Sequence, residues 1–117
     1  MQRRRLITTV PALAALGAAP GLLQAQGAFP ARPLRYIVPV SAGGGSDLVG
    51  RTVCERWGRA LGQNFVVENI GGGGGAIACQ TVAKSAPDGY TLLQGYVATH
   101  GTSPATRTKL PYDAVRD

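Results

Sequence analysis

The sequence has few side chains of the kinds on which most enzymes depend. It contains one histidine, His100, and two cysteines, Cys54 and Cys79. Hydroxyl residues flank His100, but no pattern marks a nucleophile, and the sequence has neither paired carboxylates nor a metal-ligand spacing. These absences argue against an enzyme, and we expect neither a metal nor a cofactor.

The sequence also lacks a basic stripe interleaved with aromatic residues. Twelve Lys and Arg residues face six Asp and Glu residues, and only 6% of the chain is aromatic. Three of the basic residues stand at positions 3–5, so the remainder of the chain has nine basic and six acidic residues, a net charge of +3. The remaining basic residues are scattered, which argues against nucleic acid as a partner.

Residues 1–25 have the pattern of an export signal. Three arginines at positions 3–5 precede an apolar run over 6–23, which ends in Leu-Gln-Ala at 23–25. Prolines and glycines interrupt the run and no stop-transfer pattern follows it, so a permanent membrane anchor is the weaker interpretation. Both a general secretory signal and a twin-arginine signal fit this segment.

The rest of the chain alternates predicted strands and helices after a linker at 26–33. The predicted strands are 34–40, 65–68 and 90–94, and the predicted helices are 46–61 and 76–85. Short connections in this order predict an α/β fold with a parallel sheet. If the first strand lies between the other two, the helices cover opposite faces of the sheet.

Several details of the two helices can be predicted from residue spacing. Ser46 is a candidate N-cap and Gly62 a candidate stop for the first helix. Its predicted sheet-facing side consists of Val49, Val53, Trp57, Ala60 and Leu61. Cys54 and Cys79 fall in different helices on opposite faces, so we expect two buried thiols rather than a disulfide.

The glycine run at 43–45 lies between a predicted strand and a predicted helix. Glycine allows a ligand close to the backbone, and the helix start offers unpaired N–H groups and a positive dipole end. The run therefore predicts a cradle for a carboxylate or phosphate. A tight turn that needs positive φ angles is the alternative. Asp47 could itself occupy the positive end, or could select a ligand that carries a donor.

The second glycine run, at 71–75, allows a nucleotide-binding interpretation. Neither run carries the Lys-Ser/Thr pair of a P-loop, but Gly71, Gly73 and Ala76 satisfy G-x-G-x-x-A between a strand and a helix. The acid expected at the end of the following strand is missing, because Asp88 precedes that strand. A nucleotide-binding or oxidoreductase half-domain therefore stays open as an alternative function.

Four segments together resemble one family. "PLRYIVPVSAGGGSDLVGR", "LGQNFVVEN", "AKSAPDGYTLL" and "KLPYDAVRD" are similar, in order and spacing, to the Bug (TctC-like) extracytoplasmic solute receptors of tripartite tricarboxylate transport. The likeness extends from about Arg32 to Asp117. It implies a periplasmic, monomeric, two-lobed Venus-flytrap protein that presents small organic carboxylates to membrane transporter subunits.

The resemblance also implies which residues bind the ligand. In this family two loops hold a carboxylate, largely through backbone groups and waters. The first loop corresponds here to Ala42, Gly43, Gly44, Gly45, Ser46 and Asp47. The second loop corresponds to Thr99, His100 and Gly101. On this interpretation residues 34–117 form part of the first lobe, with a three-strand parallel core flanked by helices.

Two features depart from the family pattern. Ile70 and Gly71 stand where members usually have a basic residue and a proline, and the sequence stops at Asp117, where the family continues toward a second lobe. The expectation is therefore a fragment of a longer receptor, or a truncated remnant that binds no ligand.

Overall fold

The computed structural model describes residues 28–117. The predicted export signal at 1–25 lies outside the described residues. The regular elements, in chain order, are β1 (Leu34–Val38), α1 (Gly45–Leu61), β2 (Phe65–Asn69), α2 (Ala76–Ala83), β3 (Thr91–Leu93) and α3 (Ser103–Thr106). A 3₁₀ turn precedes α2 at Gly73–Gly75, and a π-helical turn precedes α3 at Val97–Thr102. Within residues 28–117, no helix combines the length and apolarity that a membrane crossing requires.

The three strands form one parallel sheet in the order β2-β1-β3. Leu34 pairs with Phe65 on one side of β1, and Tyr36 pairs with Leu92 on the other. This arrangement confirms the α/β fold and the central first strand. β1 is shorter than predicted, because Pro39 has no N–H with which to continue the ladder.

α1 and α2 cover opposite faces of the sheet, as predicted. Side chains alternate across a strand, and Tyr36 and Val38 pack with Cys54 of α1. Leu93 of β3, on the other face of the sheet, packs against the buried cluster that contains Cys79 of α2 and Tyr112. Both cysteines are buried and free, which confirms that they do not pair.

The prediction of which α1 residues face the sheet is wrong for several of them. The buried positions are Asp47, Gly50 and Cys54, whereas Val49 is 57% exposed. Gly50 lets the helix approach the sheet closely: a Cβ there would lie 3.0 Å from Val38 Cγ2. Trp57 is a partial core anchor, since its ring packs on Tyr36 and Phe65 yet remains 41% exposed.

The described part of the predicted linker contacts the turn before β3. The Ala31 N–H donates to the Tyr90 hydroxyl at 2.8 Å. Arg32 pairs with Asp88 at 2.9 Å, and its guanidinium lies 4.0 Å from the centre of the Tyr90 ring. Phe29 meets the same ring edge-on. Residues 29–32 therefore pack against the domain at the end of the sheet opposite the glycine run at 43–45.

The second glycine run has a conformational and packing role. Gly72, Gly73, Gly74 and Gly75 all have positive φ, between 58° and 112°. A Cβ on Gly75 would lie 2.5 Å from Thr99 Cγ2 and 3.2 Å from Pro39 Cβ. These glycines bring the start of α2 against the end of β1 and the π-helical turn.

We expect Gly75→Ala to lower the free energy of unfolding by about 2–4 kcal/mol, because alanine is strained at this φ and its methyl group overpacks the Thr99 contact. Urea denaturation of the full chain measures the change. Gly45→Ala is the matched control, since nothing lies within 4 Å of a Cβ there and its φ is not positive. Equal stabilities for the two variants would contradict the packing role.

Candidate ligand-binding site

The first loop lies at the carboxyl end of β1 and leads directly into α1. A cavity of about 270 Å³ opens at this place. The chain leaves β1 for β2 on one side and later returns to β3 on the other, and open α/β sheets bind ligands at the carboxyl ends of strands beside such a switch point. Its lining residues are Gly43, Gly44, Gly45, Asp47, Leu48 and Arg51. Four of the six first-loop residues predicted from the sequence therefore share one cavity.

Backbone donors without a helical acceptor lie at the start of α1, beside this cavity. Gly44 is the N-cap, without a side-chain cap, and the first helical hydrogen bond runs from the Leu48 N–H to the Gly44 carbonyl. The N–H groups of residues 45–47 precede that bond and have no helical acceptor. The prediction that Ser46 caps the helix is wrong: the N-cap lies two residues earlier, at Gly44, and the Ser46 hydroxyl accepts a hydrogen bond from Gln94.

The side chain of Asp47 stabilises the first loop through hydrogen bonds. Its side chain is nearly buried, and its carboxylate accepts hydrogen bonds from the Gly43 N–H at 2.9 Å, Arg51 Nε at 3.0 Å and Asn69 Nδ2 at 3.0 Å. The Gly43 bond, followed by those from Arg51 and Asn69, lowers the pKa of Asp47 from 3.8 to about 2. The ionised carboxylate accepts from the Gly43 N–H and not from the N–H groups of residues 45–47.

Asp47, Arg51 and Asn69 form a closed group, here called the Asp47 cluster. Asn69 accepts from Arg51 Nη2 at 3.2 Å and donates to the Val40 carbonyl at 3.2 Å. The cluster thus connects the first loop, α1 and the end of β2. Sequence reasoning missed Arg51 and Asn69, although the four-residue spacing of Asp47 and Arg51 on a helix is a recognised ion-pair signal.

In the second loop, the side chain of Thr99 lies in the protein interior. Thr99 is fully buried, and its Oγ1 lies 3.0 Å from the Tyr96 carbonyl and 2.7 Å from His100 Nδ1. The Thr99 carbonyl accepts from the Tyr112 hydroxyl. Both oxygens of Thr99 are therefore engaged within the protein.

The structure does not bring His100 into the first-loop cavity. Its ring packs over Gly95 and lines a separate cavity of about 280 Å³ that also contains Cys79 and Tyr112. Gly101 is exposed in the π-helical turn, and Ala42 is exposed outside the lining of the first-loop cavity. His100 and the first loop therefore line different cavities.

Two other ligand classes find little support in this geometry. Within the described part of the chain, no group of three or more His, Cys, Asp or Glu side chains is placed to hold a metal ion. The glycines of the nucleotide-like run serve the turn before α2 and its contact with Thr99. The first-loop cavity is therefore the candidate site.

The depressed pKa of Asp47 predicts a specific response to acid. A carboxyl whose pKa is lower in the folded state stabilises the fold above its unfolded pKa, and this stability disappears as pH falls from about 4 to about 2. We expect Asp47→Asn to be less stable than the parent at neutral pH, and to lose less stability than the parent over this acid interval.

Urea unfolding at a series of pH values measures this difference. Arg35 also lowers the pKa of Glu68, so part of the acid response survives in the Asp47 variant. Glu68→Gln is the control that removes this second contribution. Parallel stability curves for the parent and Asp47→Asn across the acid interval would contradict a lowered pKa of Asp47 in the fold.

Comparison with known proteins shows the family. The profile described as "Tripartite tricarboxylate transporter family receptor" matches residues 49–117. The chain is 41% identical to a UPF0065 protein of Bordetella bronchiseptica over 97% of its own length, but it spans only 33% of that relative.

Two solved structures are similar to the described fold. A periplasmic transporter matches with a TM-score of 0.74 and 46% identity, over 77% of this chain and 30% of that one. MatC from Rhodopseudomonas palustris, with bound malate, matches with a TM-score of 0.70 and 41% identity, over 74% and 29%. The chain belongs to the TctC family of tripartite tricarboxylate transporter receptors.

Proposed function

We propose that this chain is part of a periplasmic solute receptor, and that its first loop binds one carboxylate of a small organic acid. The observation that carries this proposal is that the start of α1, whose first N–H groups have no helical acceptor, lines the first-loop cavity through Gly45 and Asp47. Helix starts of this kind favour anions through aligned donors and the helix dipole.

The charge balance at the cavity is compatible with a carboxylate. Asp47 would repel an anion, but Arg51 pairs with it at 3.0 Å, so the two side chains add no net charge to the lining. The loop glycines let a carboxylate reach the backbone donors. The malate in the similar MatC structure supports small dicarboxylates as the ligand class.

The remaining parts of the proposal follow the family. Residues 1–25 would direct export to the periplasm, and membrane subunits of a tripartite transporter would receive the ligand. The protein would bind its ligand without transforming it. The second loop would meet the ligand at Gly101, since the Thr99 hydroxyl and the N–H groups of Thr99 and His100 already have partners within the protein.

A two-lobed receptor encloses its ligand between its lobes and so excludes water from it. This chain spans about a third of the relatives it matches, and its cavity lies open at the sheet edge. We therefore expect weak binding to this chain alone, and NMR titration is the suitable measurement.

Gly44→Val tests the carboxylate cradle directly. Gly44 has φ −87° and ψ 172°, which valine adopts readily, and a Cβ there meets only the Ser41 carbonyl oxygen at 4.0 Å. We expect malate affinity to fall about tenfold or more, because the branched side chain covers the donors, a loss of about 1.4 kcal/mol. The melting temperature should fall less than the affinity does, with a small decrease because valine is a poorer N-cap than glycine.

NMR titration of the full chain with malate measures this affinity. Ala60→Val, at the other end of α1, is the control for adding the same side chain to this helix. Unchanged affinity in Gly44→Val would remove the cradle from the proposal. An unmutated chain that shows no saturable shifts with malate would instead favour a remnant without a ligand.

His100→Ala should weaken malate binding less than Gly44→Val does. The His100 ring lies in the separate cavity beside Cys79 and Tyr112, so its removal leaves the first-loop donors in place. The same titration compares the two variants. An equal or larger loss of affinity in His100→Ala would place the histidine at the ligand.

A further inference from the structure

The side chain of Gln94 crosses from the sheet to the start of α1. Gln94 follows β3, and its backbone N–H donates to the Ile37 carbonyl at 2.9 Å, which extends the β1–β3 ladder. Its Nε2 lies 2.8 Å from Ser46 Oγ and 3.0 Å from the Ser46 carbonyl oxygen. Because a carbonyl only accepts, the nitrogen must face Ser46, and this fixes the orientation of the amide.

The other end of the same amide lies against α1. Gln94 Oε1 is buried and has no hydrogen-bond partner among residues 28–117. A Cβ on Gly50 would lie 2.5 Å from this oxygen, so a glycine in the middle of the helix makes room for the amide. Glycine weakens a helix, and a buried acceptor without a partner lowers stability. Stability alone therefore does not explain this side chain.

The position of Gln94 suggests another role. It stands two residues before Tyr96, the N-cap of the π-helical turn that carries the second loop. Ser46, which it holds, belongs to the first loop. A single amide thus connects the bases of the two loops from which the proposed carboxylate site is built.

The geometry points to Gln94 as a positioning residue that sets the spacing of the two ligand-binding loops, with Gly50 providing the space for its amide. This inference rests on the proposed function, since it assigns the two loops to one ligand. It assigns Gln94 no contact with the ligand.

Gln94→Met separates positioning from stability. Methionine has a similar length and no buried oxygen to leave unpaired, and the Ser46 carbonyl keeps its helical partner. We expect an unchanged melting temperature, shifted amide resonances for Gly45, Ser46 and residues 99–101, and malate affinity about tenfold weaker. Gln63→Met is the matched control, because Gln63 lies beyond the far end of α1 and makes no side-chain hydrogen bond among the described residues.

A second pair of variants tests the contact with Gly50. Gly50→Ala should displace the Gln94 amide and shift the same loop resonances. Combining it with Gln94→Ala should cost less stability than the sum of the two single changes, because residues in contact are coupled. Additive losses would overturn the role assigned to Gly50.

The outcomes distinguish this inference from the proposed function. Loop resonances and malate affinity that match the parent in Gln94→Met would overturn the positioning role, as would a loss of affinity matched by a lower melting temperature. If the unmutated chain does not bind malate, the proposed carboxylate site fails, and the loop resonances measured without ligand alone decide whether Gln94 positions the loops.

Discussion

The arrangement of the candidate site depends on the carboxylate of Asp47. A nearly buried, ionised side chain needs donors on several sides, and here they come from Gly43 in the loop, Arg51 in α1 and Asn69 at the end of β2. A loop rich in glycine would otherwise have many conformations to lose on folding. The Asp47 cluster fixes one of them, so a ligand bound as proposed would meet donors that are already in place.

The two glycine runs have similar composition, but the structure requires glycine in them for different physical reasons. In the first run only Gly43 has a positive φ, so a tight turn explains one glycine of three. Gly44 and Gly45 lack a positive φ and have open space around a Cβ, which is compatible with the proposed carboxylate site. In the second run, residues 72–75 all need a positive φ, and this run belongs to the packing of the fold.

Much of the fold could be predicted from the sequence, because periodicity and short connections act locally. They indicated the three strands and the parallel sheet, and with β1 supposed central they placed Cys54 and Cys79 on opposite faces. The buried side of α1 depends instead on Gly50, whose lack of a Cβ matters only once the helix meets Val38. The orientation of the His100 side chain depends on the π-helical turn. Thr99 of this turn contacts Tyr112 and Gly75, which are distant from it in the sequence.

The few side chains that line the first-loop cavity limit what it can recognise. Among the described residues, Arg51 is the one basic side chain in the lining, and its charge is matched by Asp47. A carboxylate bound here would be held by backbone donors, which respond to its shape and charge but not to the rest of the molecule. Leu48, 69% exposed at the cavity edge, is the one apolar contact of the lining. Selection among organic acids would therefore depend on groups that face this edge from elsewhere in the receptor.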